Sequence, residues 1–157
     1  MLDVLREQRR TLSQSLRSVA EADADYRYAS DKWSIREVVG HISDAERVYQ
    51  YRTVAIARGV VDALPRYDPD AWVEHSGFGR RAMQSLIEEF LAVRESTLCL
   101  LEHLEPEAWD RRGTFSGGSV SVRAQAFIAA GHAQRHLDVL RERYGIARFA
   151  SETVAGS

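Results

Sequence analysis

KWSIREVVGHISDAERVYQYRTVAIARG, residues 32–59, is the stretch on which the fold turns. Its apolar positions Ile35, Val38, Ile42, Ala45, Tyr49 and Ile56 recur at spacings that keep one face of an α-helix buried. The helix start is equally plain in the residues. Ser34 can cap the free amides of the first turn, and Glu37, three residues on, completes a capping box. Gly59 marks the end. His41 falls three residues after Val38 and four before Ala45, so its ring points inward or along the border of the apolar stripe.

Three more helical segments surround this one. Leu5, Leu12, Leu16 and Val19 form a stripe over Leu2–Ala20. Met83, Ile87, Phe90, Leu98 and Leu101 form another over Arg80–Leu104, closed by Pro106. The last, Ser121–Tyr144, places Ala124, Ile128, His132, His136 and Val139 on one line before Gly145. Between the second and third helices, Val60–Gly79 carries Pro65, Pro69, Gly77 and Gly79 and predicts a long irregular connection of the kind that is often functional. A glycine-rich turn is expected at Gly113–Gly118. No segment of useful length alternates with period two, so the expected class is all-α: an up-down four-helix bundle with a long connection between helices 2 and 3. Residues 1–145 make one domain, and 146–157 a flexible tail.

The histidines carry the chemistry. His132 and His136 are four apart and stack on one helical face, and a neighbouring helix supplies His41. Three nitrogen ligands and no fourth is the pattern of an open, catalytic divalent-metal site rather than a closed structural one. Imidazole suits zinc, nickel, copper and iron alike. A di-iron centre does not fit, because such sites pair two Glu-x-x-His motifs, whereas Glu37 and His41 are four apart and His132–His136 contains no glutamate.

Composition removes other classes. The 157 residues hold 21 basic and 23 acidic side chains, a formal charge of -2, which argues against a nucleic-acid surface. The basic residues are all arginine except Lys32, and they are scattered. With one cysteine, Cys99, neither an internal disulfide nor a cysteine-based zinc site can form. Cys99 sits among Leu98, Leu100 and Leu101 and is expected to be a small core residue. The first residues turn charged too early for a signal peptide, and no run approaches the roughly 18 apolar residues of a membrane span. A soluble cytoplasmic protein is expected, with no membrane and no nucleic-acid partner.

Trp33-Ser34 at a helix start, His41-Ile42-Ser43-Asp44-Ala45-Glu46-Arg47 within that helix and His132-Ala133-Gln134-Arg135-His136-Leu137 near the chain's end carry a family likeness. With Asp70-Ala71-Trp72 and the Trp109–Gly118 segment between them, they resemble the DinB-like superfamily over about Leu2–Tyr144. The resemblance implies a four-helix bundle, a homodimer, and zinc, nickel or a similar divalent ion held by His41, His132 and His136. Characterised members of that superfamily include bacillithiol transferases and mycothiol-dependent maleylpyruvate isomerases, in which the metal engages the low-molecular-weight thiol. The implied activity is a metal-dependent thiol S-transferase, with a small-molecule thiol and an electrophile as partners. A metal-dependent hydrolase, or a non-catalytic metal- or ligand-binding stress module, is the alternative.

Either chemistry is physically sound. A divalent ion lowers the pKa of a thiol from about 8.5, or of a water towards about 7. Asp44, three residues after His41, is the candidate general base, or else the acceptor that orients a ligand imidazole. Arg52 and Arg94 fall on or near inward stripes, where a charge needs a partner or a cavity. They serve either to recognise an anionic substrate or to pair with Asp44 or Glu46 inside the bundle. His75 and His103 are assigned surface roles, and Trp33, Trp72 and Trp109 packing roles.

Overall fold

The computed structural model describes residues 1–61, 65–115 and 117–146. The expected flexible tail, 146–157, lies outside them except for Ile146. Among the described residues there are five α-helices: α1 Leu2–Arg17, α2 Ile35–Ala57, α3 Pro69–Ser76, α4 Met83–Glu102 and α5 Val122–Glu142. Two short strands, β1 Arg112–Phe115 and β2 Gly118–Ser121, pair antiparallel with Arg112 opposite Ser121 and Phe115 opposite Gly118. The four long helices form the expected bundle, with the long connection between α2 and α4.

The capping box at the start of α2 forms as its residues predict. The Glu37 amide donates to Ser34 Oγ at 3.3 Å, and the Ser34 amide donates to the Glu37 carboxylate at 2.7 Å. Ser121 caps α5 by accepting from the Ala124 amide at 3.1 Å. Arg36, almost fully buried, then clamps the α2 start. It pairs with Glu21 and Asp25 and donates to the Arg81 carbonyl just before α4.

One core cluster joins the end of α1 (Leu12, Leu16), the start of α2 (Ile35, Val38, Ile42), the start of α4 (Leu86, Ile87, Phe90) and the end of α5 (Leu137, Leu140). The other joins Leu5, Ile56, Leu98, Leu101, Val122 and Ala126. Direction follows from this. Helix α1 runs with α5, and α2 runs with α4 in the opposite sense. The alternation therefore falls between α1 and α2 and between α4 and α5, while the long connection returns the chain along the bundle to the end where α2 began.

Midway, a buried polar chain crosses all four helices. Glu46 of α2 and Arg94 of α4 form a two-armed ion pair at 2.7 and 2.8 Å. Arg94 also donates to Gln8 of α1 at 3.1 Å, and Gln8 donates to the Ala130 carbonyl of α5 at 2.9 Å. Arg94, Glu46 and Gln8 are all buried.

Several expectations need correction. The connection is not wholly irregular: Asp68 caps α3 at the Asp70 and Ala71 amides, with Pro69 in the first turn, where its missing N–H costs nothing. His75 consequently lies on a helix, its Nδ1 2.8 Å from the Ala71 carbonyl. The expected Gly113–Gly118 turn is the β1–β2 hairpin, whose four-residue strands are too short to show periodicity. The third long helix starts at Met83 rather than Arg80, because Phe78–Arg80 forms a 3-10 turn. Cys99 is exposed, not core, since Leu98 and Leu101 take the inward positions of that turn and leave it facing out. No helix among the described residues is long and apolar enough to cross a membrane.

Candidate metal centre

His41 is placed by the first turns of α2. Gly40 lets that helix approach the Phe78 ring, which stands 2.5 Å from where a Cβ on Gly40 would be. Trp33 lies beside the imidazole with ring centroids 4.7 Å apart. Tyr144, just past α5, donates its hydroxyl to the Trp33 carbonyl at 2.6 Å, tying the end of α5 to the start of α2.

His132 and His136 come from α5, but the helix is turned slightly from the expected line. Its buried positions are Val122, Gln125, Ala126, Ala129, Ala130, Ala133, Leu137 and Leu140, and Ile128 is exposed. The cause is that small alanines, rather than Ile128, let α5 close onto the bundle. The rotation sets both histidines at the border of the core, half-buried, while His41 is buried.

The three rings converge. One ligand nitrogen from each lies within 4.8 Å of the others, and His41 Nε2 and His132 Nε2 are 3.1 Å apart. Burial, reinforced by the neighbouring rings, pushes His41 down to about 3. Burial, with His136 and Arg135 nearby, takes His132 to about 4, and burial with Arg135 does the same for His136. Neutral imidazoles at ordinary pH are what a divalent ion requires of its ligands. The donor set fits a metal, and among the described residues it is the one cluster that can hold an ion.

The other candidates are distributed differently. Asp44 accepts from Arg47 at 3.1 Å, and the charges that bear on it are Arg47, Glu89 and Arg81. Burial raises its pKa. Arg94 spends its guanidinium on Glu46, Gln8 and the Leu5 carbonyl, in the middle of the bundle. This is the ion-pair arrangement, and it presents no open face to a substrate. Arg52 is buried, donates to the Pro65 carbonyl at 2.8 Å and stacks on Phe115 at 3.7 Å.

One cavity borders the triad and a second lies beyond Tyr49. One, of about 330 Å³, is bordered by His136, Trp33, Val38, Lys32, Arg135 and Tyr144. The other, of about 210 Å³, is bordered by Tyr49, Arg52, Tyr67, Phe115, Gln125 and Ile128. Tyr49 joins this second cavity to the triad, its ring 5.4 Å from that of His132. Gln125 and Phe115 were not singled out by their residue types. The available signal for Gln125 was position: it lies seven residues before His132, on the same helical face.

Known structures share this fold. YfiT from Bacillus subtilis, described as a probable metal-dependent hydrolase with an unusual four-helix bundle topology, superposes with a TM-score of 0.81 at 18% identity, over 96% of this chain and 85% of its own. The DinB-like protein YjoA from the same organism gives 0.67 at 18% identity, over 95% and 90%. A mycothiol-dependent maleylpyruvate isomerase gives 0.72 at 14% identity, over 86% of this chain and 57% of its own length. At these identities the likeness is one of fold. No curated protein matches the sequence. The model of the DinB superfamily matches residues 5–140, and the chain belongs to that superfamily.

Proposed function

We propose that this protein is a divalent-metal-dependent transferase of low-molecular-weight thiols, with His41, His132 and His136 as the metal ligands. The supporting observation is the convergence of three neutral imidazoles at the junction of α2 and α5, with one cavity bordered by His136 and a second one beyond Tyr49. When bound, zinc or nickel would supply the Lewis acidity that keeps a thiol as thiolate at neutral pH. The residues of the chain do the rest. Trp33 and the Tyr144 contact fix the His41 ring, and α5 carries the other two on one face. Two cavities suit a two-substrate reaction, thiol on one side and electrophile on the other.

The hydrolase reading needs a base near the triad. Asp44, its candidate, is engaged with Arg47 instead, which favours the transferase. The likeness to YfiT keeps hydrolysis as the second reading. A cytoplasmic homodimer completes the proposal.

The test is conjugation. Metal-loaded protein incubated with cellular thiols and monochlorobimane should form conjugate faster than metal-free protein. Equal rates would defeat the transferase. Ester or amide turnover without thiol would establish the hydrolase, and ligand binding without turnover the non-catalytic module.

A further inference from the structure

The cavity beside His132 holds polar groups that the fold leaves unanswered. Gln125 is fully buried, yet neither its Nε2 nor its Oε1 has a partner among the described residues. Arg52, 2% exposed, donates through one arm to Pro65 while its Nε has no partner. These three atoms are closed to solvent, so a ligand meets them only when the Arg52 and Gln125 side chains turn into the cavity that they line. An unpaired buried polar group costs about 1–3 kcal/mol, so a fold that gathers three around one cavity bears a substantial penalty in the ligand-free state. Residues that only pack would avoid it.

The unanswered atoms define a complement. Arg52 Nε and Gln125 Nε2 are donors and call for an anionic acceptor, while Gln125 Oε1 is an acceptor and calls for an N–H or O–H next to it. Arg66 adds a second cation to the lining, which contains no carboxylate among the described residues. The Phe115 ring holds the Arg52 guanidinium in place from one side. Tyr49, Tyr67 and Ile128 offer apolar surface for a compact body, and about 210 Å³ limits that body to something near the size of one aromatic ring.

We propose that this cavity is a subsite for a small carboxylate that carries a hydroxyl or amino donor beside the carboxyl group. The carboxylate lies against Arg52 and Gln125, and the adjacent donor answers Gln125 Oε1. Tyr49 stands between this subsite and His132, its ring 5.4 Å from that of His132, so an acid seated here is separated from the triad by one side chain. As a substrate subsite it rests on the metal reading above; as a carboxylate site it does not.

The test is calorimetric titration of mandelate, an α-hydroxy acid, into the metal-free full-length protein, with benzyl alcohol as the neutral comparison. Mandelate should bind at least about tenfold tighter than benzyl alcohol, a difference of about 1.4 kcal/mol. Gln125→Leu, which keeps volume and removes the stranded atoms, should weaken mandelate by at least about tenfold while its Tm holds or rises. Arg52→Lys, which keeps the charge but loses the Nε donor, should weaken it likewise. Mandelate binding no better than benzyl alcohol, or unchanged in a folded Gln125→Leu protein, overturns the proposal. Zinc titrated into a second portion of the same metal-free protein separates the two claims: mandelate binding with no zinc bound sinks only the metal reading, and zinc bound with no mandelate binding sinks only the subsite.

Discussion

His41 Nε2 and His132 Nε2, ninety-one residues apart in the chain, stand 3.1 Å apart across the α2–α5 interface. Two cationic rings could not share that space, and burial keeps both neutral. His41 sits at about 3 and His132 and His136 at about 4, against an ordinary 6.5. The unfolded chain takes up protons at these rings below pH 6.5 and the folded chain does not, so stability rises with pH across the window from about 4 to 6.5. Metal-free protein should lose stability between pH 7 and pH 5, on the order of a few kcal/mol. Thermal unfolding across that range measures it. The triple variant His41→Gln, His132→Gln, His136→Gln should flatten the curve, and a wild-type curve already flat would contradict the account.

The Glu46–Arg94 pair makes a structural prediction. Glu46→Ala strands a fully buried guanidinium and should cost about 3–5 kcal/mol, whereas replacing both residues by apolar ones of similar volume should cost far less. Denaturant unfolding of the single and double variants decides it. Equal losses in both would mean that the pair's charge is not what matters there.

Gly40→Ala tests how His41 is positioned. The new Cβ would meet the Phe78 ring at 2.5 Å, so α2 must back away from Phe78. Overpacking of this kind costs about 1–3 kcal/mol, and because His41 is the next residue, metal retention should fall with it. An unchanged Tm would show that Phe78 yields instead.

The helices and the triad were legible because each rests on a local pattern. Ser34 and Glu37 declare a helix start within four residues, and a four-residue spacing puts His132 and His136 on one face whatever surrounds them. What was not legible depends on contacts distant in sequence. The parallel course of α2 and α4 is set by clamps such as Arg36 on the Arg81 carbonyl. The choice between the two roles of Arg94 turns on Glu46 lying opposite it, 48 residues away. Ile128 read as core because its spacing is correct, but small alanines on α5 pack closer to the bundle and turn it outward. The hairpin and α3 were missed for a simpler reason: both are shorter than the window in which periodicity can be seen.

His41, His132 and His136 should together hold one divalent ion. Metal analysis of untagged protein purified without added metal tests it most directly, on the wild type and on His41→Ala, His132→Ala and His136→Ala. The expected result is about one metal ion per chain in the wild type and its loss in each variant. Metal content unchanged in folded variants would contradict the claim.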